Sequence, residues 1–272
     1  MLITMQSFLL DGICSVNMKY VCHISGGIAS AASWILALER YGECDAVFAD
    51  TNNEDEYLYH FLNELEMYTG IEITRLDQGC SIWDIFKKKT AFTNGSTCLG
   101  SYYLKHVALE NYMLRTYNII DLTILIGFSP DEDDRIERIK NKNPMFTFDF
   151  PLLWGKGMFR CDIIKFLMDR GIKIPRLYSQ GYGHNNCCGA CIMAGISQWS
   201  RLLNDRPDKF AIAEETEIYI INKQIERNRK IFTILKDRRN NEIRAYPLIQ
   251  LRRDIKSGRR IPNDSWRSGP CS

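Results

Sequence analysis

The run Val21-Cys22-His23-Ile24 ends in Ser25-Gly26-Gly27-Ile28-Ala29-Ser30, and a helical pattern follows at once from Ala31 to Arg40. An apolar strand that passes through a small, hydroxyl-bearing, glycine-paired turn into a helix is the layout of a phosphate cradle. The glycines let the backbone run close to an anion, and the N–H groups of the turn and helix N-terminus point at it. Ser25 and Ser30 add hydroxyl donors. Many strand-to-helix turns carry a glycine pair for steric reasons alone. Here the next apolar run, Ala46-Val47-Phe48-Ala49, ends in Asp50-Thr51 and leads into another helical pattern, which favours nucleotide phosphate binding.

The alternation continues along the chain. Strands are expected at 19–24, 44–49, 72–76 and 122–126, and helices at 29–41, 54–69, 82–89 and 102–117. Alternating strands and helices imply an α/β, doubly wound, mostly parallel sheet covered on both faces. Right-handed crossovers then gather the loops after the strands on one edge, where ligands bind in such sheets. Beyond Phe150 the alternation weakens. A helix over 161–170 leads to a Gly-, His-, Asn- and Cys-rich loop over 180–190, a helix over 192–204, and a charged segment with a candidate strand pair around Asn240-Asn241. Three units are expected: an N-terminal extension (1–17), a nucleotide-binding domain carrying the cysteine loop (18–215) and a basic appendage (216–272).

A chain of 272 residues can bury a full core. No apolar stretch approaches the roughly 20 residues of a membrane span, and the first 17 residues lack the basic start of a secretory signal. Cys14, Cys22, Cys44, Cys80 and Cys161 are scattered as buried thiols are, whereas Cys187, Cys188 and Cys191 are clustered. A reducing cytoplasm with a metal or redox cluster is the expectation. Net charge is +2, but residues 216–272 hold 14 Lys/Arg against 6 Asp/Glu. That excess of +8 leaves about −6 elsewhere, and it fits either a polyanionic partner, such as nucleic acid, or a solvated helical surface.

Taken jointly, several motifs carry a family resemblance over residues 18–215. Ser25-Gly26-Gly27-Ile28-Ala29-Ser30 resembles the Ser-Gly-Gly-x-x-Ser loop of the adenine-nucleotide alpha-hydrolase fold. The similarity is to the phosphoadenosine phosphosulfate (PAPS) reductase-like branch of the PP-loop ATP pyrophosphatases. Phe48-Ala49-Asp50-Thr51 to Glu54 resembles the second-strand segment, and Cys98 with Tyr103-Leu104-Lys105 the Cys-then-Leu-Lys helix. Gly127 with Glu132 and Arg135 resembles the Gly-x4-Glu-x2-Arg element, and 184–191 a family cysteine loop. The resemblance implies ATP or a related adenylyl nucleotide, held at Ser25, Gly26, Gly27 and Ser30 with Asp50 and Thr51 beside the adenosine. Lys105 and Arg135 become candidate counter-charges, with Glu132 orienting Arg135 across one helical turn. Mg²⁺ is a candidate companion, because a pyrophosphate leaving group needs donors and cations. Ala29 departs from the pattern, since ATP pyrophosphatases commonly carry aspartate there. Nucleotide binding without cleavage, or a different nucleotide, therefore stays open.

The cysteines form a second constellation. Cys188-x-x-Cys191 has chelate spacing and Cys187 adds a third thiol. The fourth ligand of a zinc ion or iron–sulfur cluster would be Cys98, His184 or Cys271. A redox-active or sulfur-carrying pair and inert thiols are the alternatives. His184 reads as an exposed loop residue, and Trp199 as core or, less simply, as a base-stacking ring. Three functions follow. One is a PP-loop enzyme of sulfur chemistry whose cysteine cluster delivers sulfur or electrons. Another is a tRNA- or DNA-thiolating enzyme using the basic tail. The last is a non-catalytic nucleotide-binding module with structural zinc.

Overall fold

Strands buried on both faces read as near-continuous apolar runs, and such runs build the centre of this molecule. The computed structural model describes residues 18–238 and 242–262. The expected N-terminal extension, Cys14, Cys271 and the Asn240-Asn241 turn lie outside the described residues. The first half runs β1 (Lys19–Ile24), α1 (Ile28–Tyr41), β2 (Asp45–Ala49), α2 (Glu56–Thr69), β3 (Ile73–Leu76) and α3 (Ile82–Lys89). A short hairpin of β4 (Thr93–Asn94) and β5 (Thr97–Cys98) precedes α4 (Leu99–Ser101), a π-helical turn (Tyr102–His106) and α5 (Val107–Thr116). The chain then crosses to the other side of β1 as β6 (Leu122–Leu125), followed by α6 (Asp133–Lys142) and β7 (Thr147–Asp149).

The sheet order is β3-β2-β1-β6-β7, with every neighbouring pair parallel. Winding reverses between β1 and β6, and the crevice beyond the carboxyl ends of the strands at such a point is the usual ligand site. The two-residue period of the strands sorts their side chains into two layers. Cys22, Ile24, Ala46, Phe48 and Leu125 pack with α1, α2 and α7 (Arg160–Met168). Val21, Val47, Leu122 and Ile124 pack with Met113 of α5 on the other face. Small Ala31 and Ala32 let α1 approach the sheet, and Trp34 fills the space between them while donating from Nε1 to the Cys44 carbonyl at 2.9 Å. The helix stops at Gly42, whose φ of +78° suits a residue without Cβ, and whose N–H donates to Leu38 O.

The remainder comprises α8 (Arg176–Ser179), the cysteine loop, α9 (Ile196–Asp205), α10 (Pro207–Glu226), β8 (Leu235–Asp237), β9 (Arg244–Tyr246) and α11 (Leu248–Lys256). β8 and β9 form an antiparallel pair flanking the region of Asn240-Asn241. The expected boundary at 215/216 falls inside α10, a single 20-residue helix. Phe210, Leu248 and Leu251 pack with Phe86 of α3 and Trp199 of α9 in a second core. The Lys and Arg residues that mark this stretch as an appendage in sequence lie mostly on the outside of these elements. Trp199 is fully buried, edge-on to Phe210, which removes the base-stacking role. Among the described residues no helix is long and apolar enough to cross a membrane.

Glu217 sits in that second core and accepts from the N–H groups of Ile234 and Leu248. Burial pushes its carboxyl up from 4.5 to about 7. The folded state then holds a proton that the unfolded chain releases, so this group's contribution to stability falls as pH rises from 4.5 towards 7. We predict that urea unfolding of wild type minus that of Glu217→Gln shows this fall, at up to about 1.4 kcal/mol per pH unit. A pH-independent difference would contradict it.

Candidate active site

The turn after β1 is held by its own hydroxyls. The Ser25 N–H donates to Ser30 Oγ at 3.0 Å, the two serine hydroxyls lie 3.1 Å apart, and Ser30 Oγ donates to Gly27 O at 3.0 Å. Gly26 has φ +76°, and a Cβ there would stand 2.6 Å from the Leu58 side chain. Gly127, at the end of β6, is equally constrained: a Cβ would stand 2.7 Å from the backbone of Ala29 and Ser30. Gly27 caps α1 without a side-chain hydrogen bond, so the first-turn N–H groups receive no side-chain acceptor from their cap.

Beside this turn, β2 delivers a second group of residues. Thr51 Oγ1 donates to Glu54 Oε1 at 2.8 Å, and Lys105 Nζ lies 3.2 Å from the same oxygen. The Cys187 N–H donates to Glu54 Oε2. Lys105 projects from the π-helical turn, a distortion that often marks functional sites. Burial opposes its charge, but Glu54 and the neighbouring Cys187 outweigh burial and its pKa rises. Asp50 accepts from Tyr59 OH at 2.9 and 3.0 Å and from the Asn52 N–H.

The third group follows β6. Glu132 accepts from the N–H and hydroxyl of Ser129, each at 3.0 Å, and pairs with the Arg135 guanidinium, which also lies 4.3 Å from the Phe128 ring centroid. Burial, then Lys105, Lys142 and Arg135, lower the pKa of His106. Burial, then Lys105, push His184 down to about 4. Burial, then His106, do the same to His23. The cations Lys105 and Arg135 are each paired with a carboxylate here, Glu54 and Glu132 respectively.

His184 is buried, not exposed: the loop folds inward, and its Nδ1 accepts the Asn186 N–H at 3.2 Å. Cys161, expected in the core, is exposed on α7. The cysteine loop reaches the cradle through Asn185, whose Nδ2 donates to Gly26 O at 2.8 Å. Its Oδ1 is buried with no hydrogen-bond partner among the described residues. Cys187 and Cys188 both have left-handed φ, +56° and +51°, and this tight turn separates their surroundings. Cys187 lies by Glu54 and Lys105. The Cys188 Sγ lies 3.0 Å from Arg206 Nη1 and 3.8 Å from Asp55 Oδ2. Burial raises the Cys188 pKa in spite of the guanidinium, and the Cys98 Sγ accepts the Ser101 N–H at 3.5 Å.

Among the described residues, no three His, Cys, Asp or Glu side chains are grouped to hold a metal ion. Cys98, Cys187, Cys188 and Cys191 are thus not assembled as a ligand set for zinc or an iron–sulfur cluster. The carboxylates of Asp50, Glu54 and Glu132 accept hydrogen bonds from protein donors.

Sequence reading missed Asp55, which caps α2, accepts from Tyr57 N–H and pairs with Arg176 at 3.0 Å and with Arg206. Burial acts against its charge, yet the two guanidiniums hold its pKa below the usual carboxylate value. An aspartate just before an apolar-periodic stretch is a helix-start signal, so Asp55 was readable as a cap. Its arginine partners, 121 and 151 residues away in sequence, were not.

A five-stranded parallel sheet whose first strand feeds a glycine-paired turn at a helix N-terminus is the architecture of nucleotide-binding α/β proteins. The chain belongs to the phosphoadenosine phosphosulfate reductase domain family, whose model matches residues 19–188. It is therefore a member of a family of sulfur-related nucleotide-binding enzymes. The crystal structure of phosphoadenylyl-sulfate (PAPS) reductase from Candida auris, in a phosphate complex, matches with a TM-score of 0.41 at 13% identity. That match covers 61% of this chain and 78% of the other. No curated protein matches the sequence.

If Asn185 latches the cysteine loop to the cradle, Asn185→Ala leaves the buried Gly26 carbonyl unpaired, at about 1–3 kcal/mol. Amide hydrogen exchange over residues 183–191 is predicted to accelerate by about tenfold or more. Unchanged exchange in that loop would show that other contacts hold it.

Proposed function

We propose that this protein binds an adenylyl-sulfur nucleotide at the carboxyl edge of the sheet and brings the Cys187 thiol to it. The phosphate and sulfate would lie on the turn of Ser25, Gly26, Gly27 and Ser30, with the adenosine beside Asp50 and Thr51. Lys105 and Arg135 would supply the counter-charges, and Glu132 would fix Arg135. The observation that supports this reading is the junction of the two motifs: Asn185 bonds the cradle at Gly26, and the adjoining Cys187 N–H bonds Glu54, the partner of Lys105. One edge therefore carries anion donors, cations and a thiol.

A sulfur nucleotide is preferred to ATP because the chain belongs to the phosphoadenosine phosphosulfate reductase domain family and carries Ala29 where ATP pyrophosphatases commonly carry aspartate. The chemistry then reduces to charge placement. As the cysteine thiolate attacks sulfur, the S–O bond to phosphate breaks, and the departing phosphate takes the electron pair. Preorganised N–H groups and Lys105 would stabilise that charge where it develops.

Calorimetry with adenosine 5′-phosphosulfate, its 3′-phosphorylated form and ATP tests the binding. A sulfur nucleotide is expected to bind more tightly than ATP, and Lys105→Met to weaken it by about 10- to 100-fold. A single turnover should leave a sulfonate adduct on Cys187, read by mass spectrometry, with equimolar adenosine phosphate. Release of AMP and pyrophosphate from ATP would overturn the proposal in favour of an ATP pyrophosphatase. Binding without turnover would favour a non-catalytic module.

A further inference from the structure

A concavity of about 1070 Å³ lies away from the residues of the nucleotide edge. Its walls come from the β4–β5 hairpin, the segment Ile192–Ile196 that follows Cys191, and the chain between α10 and β8. Twenty residues line it: four are Lys or Arg and none is Asp or Glu. That is a strong bias in a chain with 33 acidic residues against 35 basic ones. The cations are Arg229, Lys230, Lys236 and Arg238, all exposed, and among the described residues none of the four forms an ion pair. Like charges held together without carboxylates repel one another, and a polyanion relieves that repulsion.

The wall is not only basic. Phe232, Ile234, Lys236 and Arg238 follow the two-residue period of an extended chain, and all four line the cleft. Phe232 is 55% exposed, with Lys230 Nζ 5.9 Å from its ring centroid. The cleft also takes in Gly195 and Ile196 at the start of α9, where the cap has no side chain to satisfy the first-turn N–H groups. Cations spaced along an extended strand next to an open aromatic face match a chain of phosphates that carries planar bases. A volume of this size is on the scale of a few nucleotides of one strand.

We propose that this cleft binds a single strand of nucleic acid, with phosphates on Arg229, Lys230, Lys236 and Arg238 and a base stacked on Phe232. The strand would run beside both cysteine-bearing segments, since Thr93, Gly95 and Ser96 line the cleft just before Cys98, as Ile192 and Met193 do just after Cys191. Fluorescence anisotropy of the full chain with short labelled oligouridylate and oligothymidylate tests this, and the two probes separate RNA from DNA as the source. Binding to at least one is expected, with a log–log salt slope that falls by about 1.4 in Lys236→Glu/Arg238→Glu. Phe232→Ala should weaken binding about tenfold at each salt concentration and leave the slope unchanged. Adenylyl nucleotide affinity, measured in the same variants, should stay at the wild-type value, so the two sites stand or fall separately. No oligonucleotide binding at low salt, insensitivity to the charge reversals, equal binding of a duplex, or tighter binding of polyglutamate would each overturn the proposal.

Discussion

Close approach around the first turn of α1 is the constraint on which the rest of the site depends. Gly26 turns with positive φ against Leu58 of α2, and Gly127 brings the end of β6 onto the backbone of Ala29 and Ser30. Neither position has room for a Cβ. The consequence is geometric: two strands that wind in opposite directions from the switch point meet over a single helix N-terminus. Donors from the turn, from β2 and from the segment after β6 then share one edge, and an anion can be reached from three sides.

The electrostatics at this edge follow from the same compression. Burying charges is costly unless each is paired and hydrogen-bonded. Glu54 meets Thr51, Lys105 and the Cys187 N–H, while Glu132 meets Ser129 and Arg135. Asp55 holds Arg176 and Arg206. The cysteine loop is tied into these pairs through Cys187 and Cys188, and to the Gly26 carbonyl of the cradle through Asn185. The separated surroundings of the two adjacent cysteines result from those ties. One thiol lies with the lysine at this edge, and the other is held in an aspartate–arginine cluster where burial raises its pKa.

Much of the parallel sheet was legible because its signals are local. Apolar runs closed by Gly42 and Gly70, and the Ser-Gly-Gly turn itself, need no knowledge of distant contacts. The turn at 25–30 and the strand end at Asp50-Thr51 were legible for the same reason, whereas Lys105 was named only through the family resemblance. Three kinds of feature were not. β7 spans three residues, too few for a period to show. α10 was hidden because its charged residues interrupt the apolar pattern, although Phe210, Ala213 and Ile220 sit on its buried face. The inward fold of the cysteine loop was invisible, because it rests on partners more than a hundred residues away, such as Asn185 with Gly26 and Cys188 with Asp55. Spacing within 184–191 suggested chelation, whereas long-range pairing sends Cys187 and Cys188 to different neighbours.

The central claim is that nucleotide and cysteine loop occupy one edge, and thiol footprinting tests it most directly. Alkylation of each cysteine in the full chain would be followed by mass spectrometry, with and without saturating adenosine 5′-phosphosulfate under conditions that block turnover. The account predicts that the bound nucleotide slows alkylation of Cys187 several-fold or more, while exposed Cys161 on α7 continues to react. Nucleotide bound at saturation with Cys187 alkylated at its free rate would contradict it.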